Sequence, residues 1–251
     1  MPRSIATGSA RHEPHCLGSW SRASGPHLTS RRQRIFRAND HGGPVTLLLC
    51  RITEPRVEAK NGLRSELRAR RNAHVLAIDP RVMALMFKRP PSPVAALVPE
   101  GAVVGLYVAG PAEAPATAYA RYFHEAGHKV ALPWFESRAA PMVFREWTSP
   151  WGDDLLEPGP WKGIVQPASD AALVVPDVLF VPLVGFSANG GRLGQGGGHY
   201  DRWLEANPFA RPIGLAWDCQ LVDDLPREPH DVPLHAVVTP TRIYGPWEHA
   251  A

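Results

Sequence analysis

The rhythm of apolar and polar positions changes near residue 57. Before that point the stretch "SARHEPHCLGSWSRASGPHLTSRRQR" mixes Ser, Arg, Gly and Pro and holds no period. It buries too little apolar surface to offset the entropy of ordering it. Beyond it, "EAKNGLRSELRARRNAH" sets Leu63 and Leu67 at i and i+4, the spacing of a helix. Lys60, Arg64, Arg68 and Arg71 recur at steps of four and three, so they share one helical stripe beside the leucines. Taken alone, such a stripe is usually a solvated basic face.

Further along, apolar runs and helical patterns alternate. "AVVGLYVA", "KVALPWF", "DVLFVPLVGF", "PIGLAWD" and "HAVVTPTRIY" are predicted strands, and "ATAYARYFHEA" and "YDRWLEA" are predicted helices. Apolar runs without alternation suit strands buried on both faces. The predicted fold is therefore α/β, a mostly parallel sheet sandwiched between helices in a Rossmann-like three-layer architecture. We expect one such domain over residues 57–251, with no internal repeat and a separate leader over residues 1–56.

Composition refines this picture. A chain of 251 residues, 44% hydrophobic, can form one sizeable core or a core plus an appendage. "VTLLLCRI", with its arginine, falls far short of the roughly 18–20 apolar residues that span a bilayer. Cys16, Cys50 and Cys219 are scattered without CxxC spacing, which suggests reduced thiols in a cytoplasmic compartment. Residues 1–57 hold nine arginines against three acids, a net +6, so the total of +3 leaves −3 for the remainder. The body is thus mildly acidic, and the basic balance is no argument for a nucleic-acid partner. The leader reads as a disordered extension or a start placed too early, as an organelle transit peptide, or as a basic tail.

Two stretches carry candidate chemistry. "RLGQGGGHYDRW", from Arg192 to Trp203, follows an apolar run and opens a helical one. Glycines let backbone N–H groups approach an anion, a helix N-terminus favours negative charge, and Arg192 supplies a fixed fork of donors. A Walker ending is missing, and His199 stands where a dinucleotide fingerprint needs glycine. Spacing alone leaves a phosphate cradle and a plain mobile loop both open. "HEAGH", His124 to His128, satisfies the zinc-hydrolase pattern. Gly127 however reads as the residue just past a helix end, which would swing His128 off the face of His124.

"DVLFVPLVGFSANGGRLGQGGGHYDRWL" resembles the signature of the 5-formyltetrahydrofolate cyclo-ligase (methenyltetrahydrofolate synthetase) family. "KNGLRSELRARR" is similar to its N-terminal lysine helix, "GLYVAGPAEAPATAYARYFHEAGHKVALP" to its next block, and "IGLAWDCQLVDDLPREPHDVPLHAVVTP" to its C-terminal block. The resemblance implies an enzyme that uses ATP and Mg²⁺ to convert 5-formyltetrahydrofolate to 5,10-methenyltetrahydrofolate, releasing ADP and phosphate. It implies ATP contacts from Lys60, Arg64, Arg192, Gly194, Gln195, Gly196, Gly197, Gly198, His199 and Tyr200. It implies that Glu113 and the run Gln195, Gly196, Gly197, Gly198, His199 hold the folate, and that Asp201 and Asp231 hold Mg²⁺. No covalent nucleophile is required. Trp147 and Trp161 are candidates for stacking on a ring. Three positions depart from the family pattern: His199 for a tyrosine, His235 for a frequent aspartate and Gln166 for an often acidic residue. The expectation is a cytoplasmic monomer acting in one-carbon metabolism on a small molecule, without nucleic acid or membrane. The rival readings are a catalytically silent member of the fold that binds nucleic acid or another partner, and a zinc hydrolase using "HEAGH".

Overall fold

The computed structural model describes residues 45–247 except 153, with side chains from residue 57 onward. The leader expectation for residues 1–44 lies outside the described residues. Helix α1 (Val45–Ala77) runs through the boundary expected at residue 56 and carries the basic stripe. Short helices α2 (Pro80–Met83) and α3 (Ser92–Ala95) follow. The Asp79 carboxylate caps α2 by accepting from Arg81 N at 2.7 Å, and Pro80 sits where a missing N–H costs nothing.

The chain then alternates. It forms β1 (Val104–Gly105), α4 (Thr117–Glu125), β2 (Val130–Trp134), β3 (Val143–Glu146), a small hairpin β4 (Leu156–Pro158) and β5 (Val165–Pro167), and β6 (Leu173–Val174). After these come β7 (Val178–Pro182), β8 (Gly185–Ser187), β9 (Arg192–Leu193), α5 (His199–Ala206), β10 (Arg211–Leu215), β11 (Leu221–Val222), β12 (Ala236–Val238) and β13 (Ile243–Tyr244). The main sheet has the order β13-β12-β10-β7-β1-β2-β3-β6. Its five central strands, β12 to β2, are parallel, while β13 and β3 run antiparallel to their neighbours.

The apolar runs explain the layers. In β7, Val178 and Phe180 face one core with Tyr119, Ala120 and Phe123 of α4. Leu179 and Val181 face the other core with Trp203 and Leu204 of α5. Both faces are covered, which is why the strand reads as a continuous apolar run rather than an alternating one. Leu67 of α1 packs separately against Val184, Leu193 and Leu225. The mostly parallel three-layer α/β fold expected from the sequence is therefore the one formed. Among the described residues no helix is long and apolar enough to cross a membrane.

Two predicted strands divide. "DVLFVPLVGF" leaves the main sheet at Pro182, which offers no N–H to a ladder, and β8 pairs instead with β9 and β11. "HAVVTPTRIY" folds back at Pro240: Thr239 N donates to Arg242 O at 2.9 Å, and β13 returns antiparallel to β12.

Phe180 is fully buried and meets the rings of Tyr119 and Phe123 at 5.5 and 5.6 Å. Phe180→Ala is expected to cost about 3–5 kcal/mol through lost transfer energy and a residual cavity. Urea denaturation checks this as a lower midpoint at unchanged slope.

Candidate functional site

A cavity of about 850 Å³ opens where the parallel strands end. Val108 beyond β1, Phe135 beyond β2 and Pro182 at the end of β7 all line it. This is the crevice where open α/β sheets place ligands. Lys60, Arg64, Arg192, the loop Gly194 to Gly198, His199, Tyr200, Asp201 and Asp231 line it too, so the fold gathers most of the residues singled out in the sequence.

Helix α1 supplies one wall. Lys60 is only 4% exposed, and its Nζ donates to Glu228 Oε2 and to Asp231 Oδ2, both at 2.6 Å. Asp231 Oδ2 also accepts from Glu228 N at 2.7 Å. His230 Nε2 lies 3.7 Å from Glu228 Oε2 and 4.0 Å from Asp231 Oδ1. One ligand atom from each of Glu228, His230 and Asp231 falls within 4.8 Å of the others, a group able to hold a cation. Glu228 and His230 were not singled out in the sequence. The available signal was "REPHD", which sets two carboxylates three residues apart. Asp201 is not part of this group; it pairs with Arg192.

The glycine loop supplies the second wall. Arg64 Nε donates to Gly194 O at 3.0 Å, and Arg68 Nη2 donates to Gln195 O at 3.0 Å. The Gln195 side chain reaches across to Glu113 Oε1 at 2.9 Å. Glu113 does not line the cavity itself, and its other oxygen accepts from Gly110 N at 2.9 Å. Gly198 adopts a left-handed φ of 63° at the start of α5, a conformation that disfavours any side chain. The Arg192 side chain is 3% exposed, and its Nε is buried without a partner. Arg192 thus stands on the cavity wall with its Nη2 paired to Asp201.

The third wall is apolar. Phe135 and Trp161 meet edge to face at 4.8 Å, and the His199 ring stands 5.0 Å from Phe135 and 5.7 Å from Trp161. Burial, then the nearby Arg202 charge, holds His199 below its ordinary value, so the ring is neutral at neutral pH. Its Nδ1 then accepts from Arg202 Nη2 at 3.2 Å. Burial, then the Glu113 carboxylate, pushes the Tyr107 phenol well up. Gln166 is buried and exchanges two hydrogen bonds with the Phe135 backbone, so it holds the aromatic wall in place. His235 N donates to Pro212 O at 2.7 Å, tying that segment to β10. Trp161 lines the cavity, whereas Trp147 is buried in the core beside α4.

Among the described residues the "HEAGH" stretch assembles no metal site. Helix α4 ends at Glu125, and Gly127 takes a φ of +89°. His128 Nδ1 lies 3.1 Å from Ala102 O, while His124 packs on Trp151 at 5.1 Å. The residues part as the helix-end argument expects.

Comparison with known proteins adds an independent line. Residues 56–240 match the 5-formyltetrahydrofolate cyclo-ligase family. The chain is 48% identical over 87 residues to the 5-formyltetrahydrofolate cyclo-ligase of Escherichia coli (strain K12), covering 32% of this chain and 48% of that protein. It is 36% identical over 118 residues to the 5-formyltetrahydrofolate cyclo-ligase of Mycolicibacterium smegmatis, covering 47% of this chain and 55% of that one. The chain thus spans about half the length of these relatives. The solved 5,10-methenyltetrahydrofolate synthetase of Aquifex aeolicus superposes with a TM-score of 0.58 at 26% identity, covering 76% of this chain and 95% of that one.

Lys60 is the buried cation between two carboxylates, so its loss leaves their charges uncompensated. Lys60→Met is expected to destabilise the fold by about 3 kcal/mol. Glu228→Gln placed on top of it is expected to recover part of that loss. Thermal and urea unfolding of the single and double variants measure both.

Proposed function

The chain belongs to the 5-formyltetrahydrofolate cyclo-ligase family, and from that premise we propose that it closes 5-formyltetrahydrofolate to 5,10-methenyltetrahydrofolate at the expense of ATP. The observation that carries this reading is the convergence of Arg192, Arg64, Lys60 and the glycine loop on one cavity. That half suits a polyphosphate, and the wall of Phe135, Met142 and Trp161 suits a flat ring. The formyl oxygen is a poor leaving group. Transfer of the γ-phosphoryl group to it makes a good one. N10 then attacks the formyl carbon and gives up its proton, the ring closes and phosphate departs with that oxygen.

The protein's part is to position groups and neutralise charge. Arg192 and Arg64 would hold phosphate oxygens, and bare glycines would let the backbone approach them. Phe135 and Trp161 would exclude water and orient the folate ring, with Glu113 acting from behind the wall through the Gln195 amide it accepts from. The carboxylates fit a hard divalent cation: Asp231 uses Oδ2 for Lys60 and Glu228 N, leaving Oδ1. Asp231 and Asp201, both on the cavity wall, would hold Mg²⁺, which supplies charge neutralisation on the phosphates. The same reading takes the enzyme as a cytoplasmic monomer that engages neither nucleic acid nor a membrane.

The test is growth of the methenyl absorbance from 5-formyltetrahydrofolate, with and without ATP. ATP-dependent growth is expected, and no growth under saturating ATP and Mg²⁺ would overturn the proposal. Arg192→Ala removes charge-assisted hydrogen bonds worth roughly 1.5–3 kcal/mol, about a 10- to 100-fold loss of kcat/KM. Asp201→Asn and Asp231→Asn are expected to be partly rescued by excess Mg²⁺, and Arg192→Ala is not. Turnover titrated with Mg²⁺ at fixed ATP separates the two kinds of defect.

A further inference from the structure

We propose that Arg68 is a positioning residue for the glycine-rich loop, setting its shape through Gln195 without touching either substrate. Arg68 is half-buried on α1 and does not line the cavity. It nevertheless spends three hydrogen bonds on one loop residue. Nη2 donates to Gln195 O at 3.0 Å and to Gln195 Oε1 at 2.8 Å, and Nε donates to Oε1 at 3.1 Å. The far end of the same amide, Nε2, donates to Glu113 Oε1 at 2.9 Å.

Charge fixes the direction of this bridge. The amide oxygen faces a guanidinium and the amide nitrogen faces a carboxylate. Turning the amide over would set donor against donor and acceptor against acceptor, so Gln195 has one orientation. The main-chain contact adds a second constraint. A trans peptide sends its C=O and the next N–H in opposite directions. Arg64 holds Gly194 O and Arg68 holds Gln195 O, so the N–H groups of Gln195 and Gly196 both point away from α1. Two successive donors are thereby aligned before any ligand arrives. Gly196, at a φ of +107°, has no side chain to resist that alignment or to limit its loss. Without Arg68 the loop keeps its anchor at Gly194 and loses the next one.

The inference rests on the loop serving a nucleotide, so binding is measured apart from turnover. Calorimetric titration of full-length wild type, Arg68→Ala and Arg68→Lys with ATP, in the absence of folate, is the experiment. Arg68→Ala is expected to weaken ATP binding about tenfold, the size of a half-exposed charge-assisted contact. Its melting temperature is expected to stay at the wild-type value. Arg68→Lys is expected to fall between, because one ammonium can serve the carbonyl or the amide oxygen but not in a fork. Arg68→Ala added to Gln195→Ala is expected to weaken binding by less than the sum of the two single losses, because both remove the amide contact while the main-chain contact is lost only with Arg68. An Arg68→Ala protein that binds ATP as wild type does overturns the inference and leaves the cyclo-ligase reading standing. So does a double variant whose losses add, or a fall in the melting temperature of Arg68→Ala. A wild type that binds no ATP overturns the cyclo-ligase reading and this inference with it.

Discussion

The ion triad of Lys60 with Glu228 and Asp231 is the contact on which the site's geometry depends. It ties a helix near the start of the described residues to a segment 168 and 171 residues later. Taking an ammonium to 4% exposure is costly unless its charge is met, and here two carboxylates meet it. With that point fixed, the helical repeat sets where the rest of the stripe falls. Arg64 and Arg68 arrive one turn apart at consecutive loop carbonyls, and Arg71 Nη1 reaches Leu183 O at 3.3 Å. One helix thereby sets the position of the glycine loop and of the end of β7 together.

The cavity divides its labour by chemistry. Cationic side chains and bare backbone crowd one side, and rings crowd the other. The two halves meet at His199, which is held neutral and wedged against Phe135 and Trp161. A neutral ring there adds aromatic surface without adding a second positive charge beside Arg202. That accounts for how a histidine can stand where the resemblance leads one to expect a tyrosine. Gln166 is likewise accommodated, because its amide both gives to and takes from the Phe135 backbone.

Much of this was legible in the sequence because it follows from local pattern. The apolar run of β7 marked a strand buried on both faces, and the bare stretch after Arg192 marked a loop between strand and helix. Gly127 announced the helix end that takes His128 away from His124. What could not be read was contact across long separations. Nothing local tells that Arg68 finds Gln195, or that Glu228 shares a lysine with Asp231. The two tryptophans look alike along the chain, yet Trp147 is core and Trp161 is cavity wall, since burial depends on which strand a residue follows. The two divided strands failed for a smaller reason: each carries a proline where the chain turns, and apolar content alone hid it.

The span of the Lys60 triad also bears on synthesis at the ribosome. Helix α1 leaves the exit tunnel early, but its polar partners at Leu183, Gly194, Gln195, Glu228 and Asp231 are all made in the second half of translation. Contacts so distant in sequence cannot reward the helix until nearly the whole chain exists. The parallel strands can begin to layer before then, with α4 already against them. Arg71, Arg64 and Arg68 meet their partners as Leu183, Gly194 and Gln195 emerge, whereas Lys60 waits for "REPHD", so the glycine-loop wall of the cavity can form before its carboxylate corner.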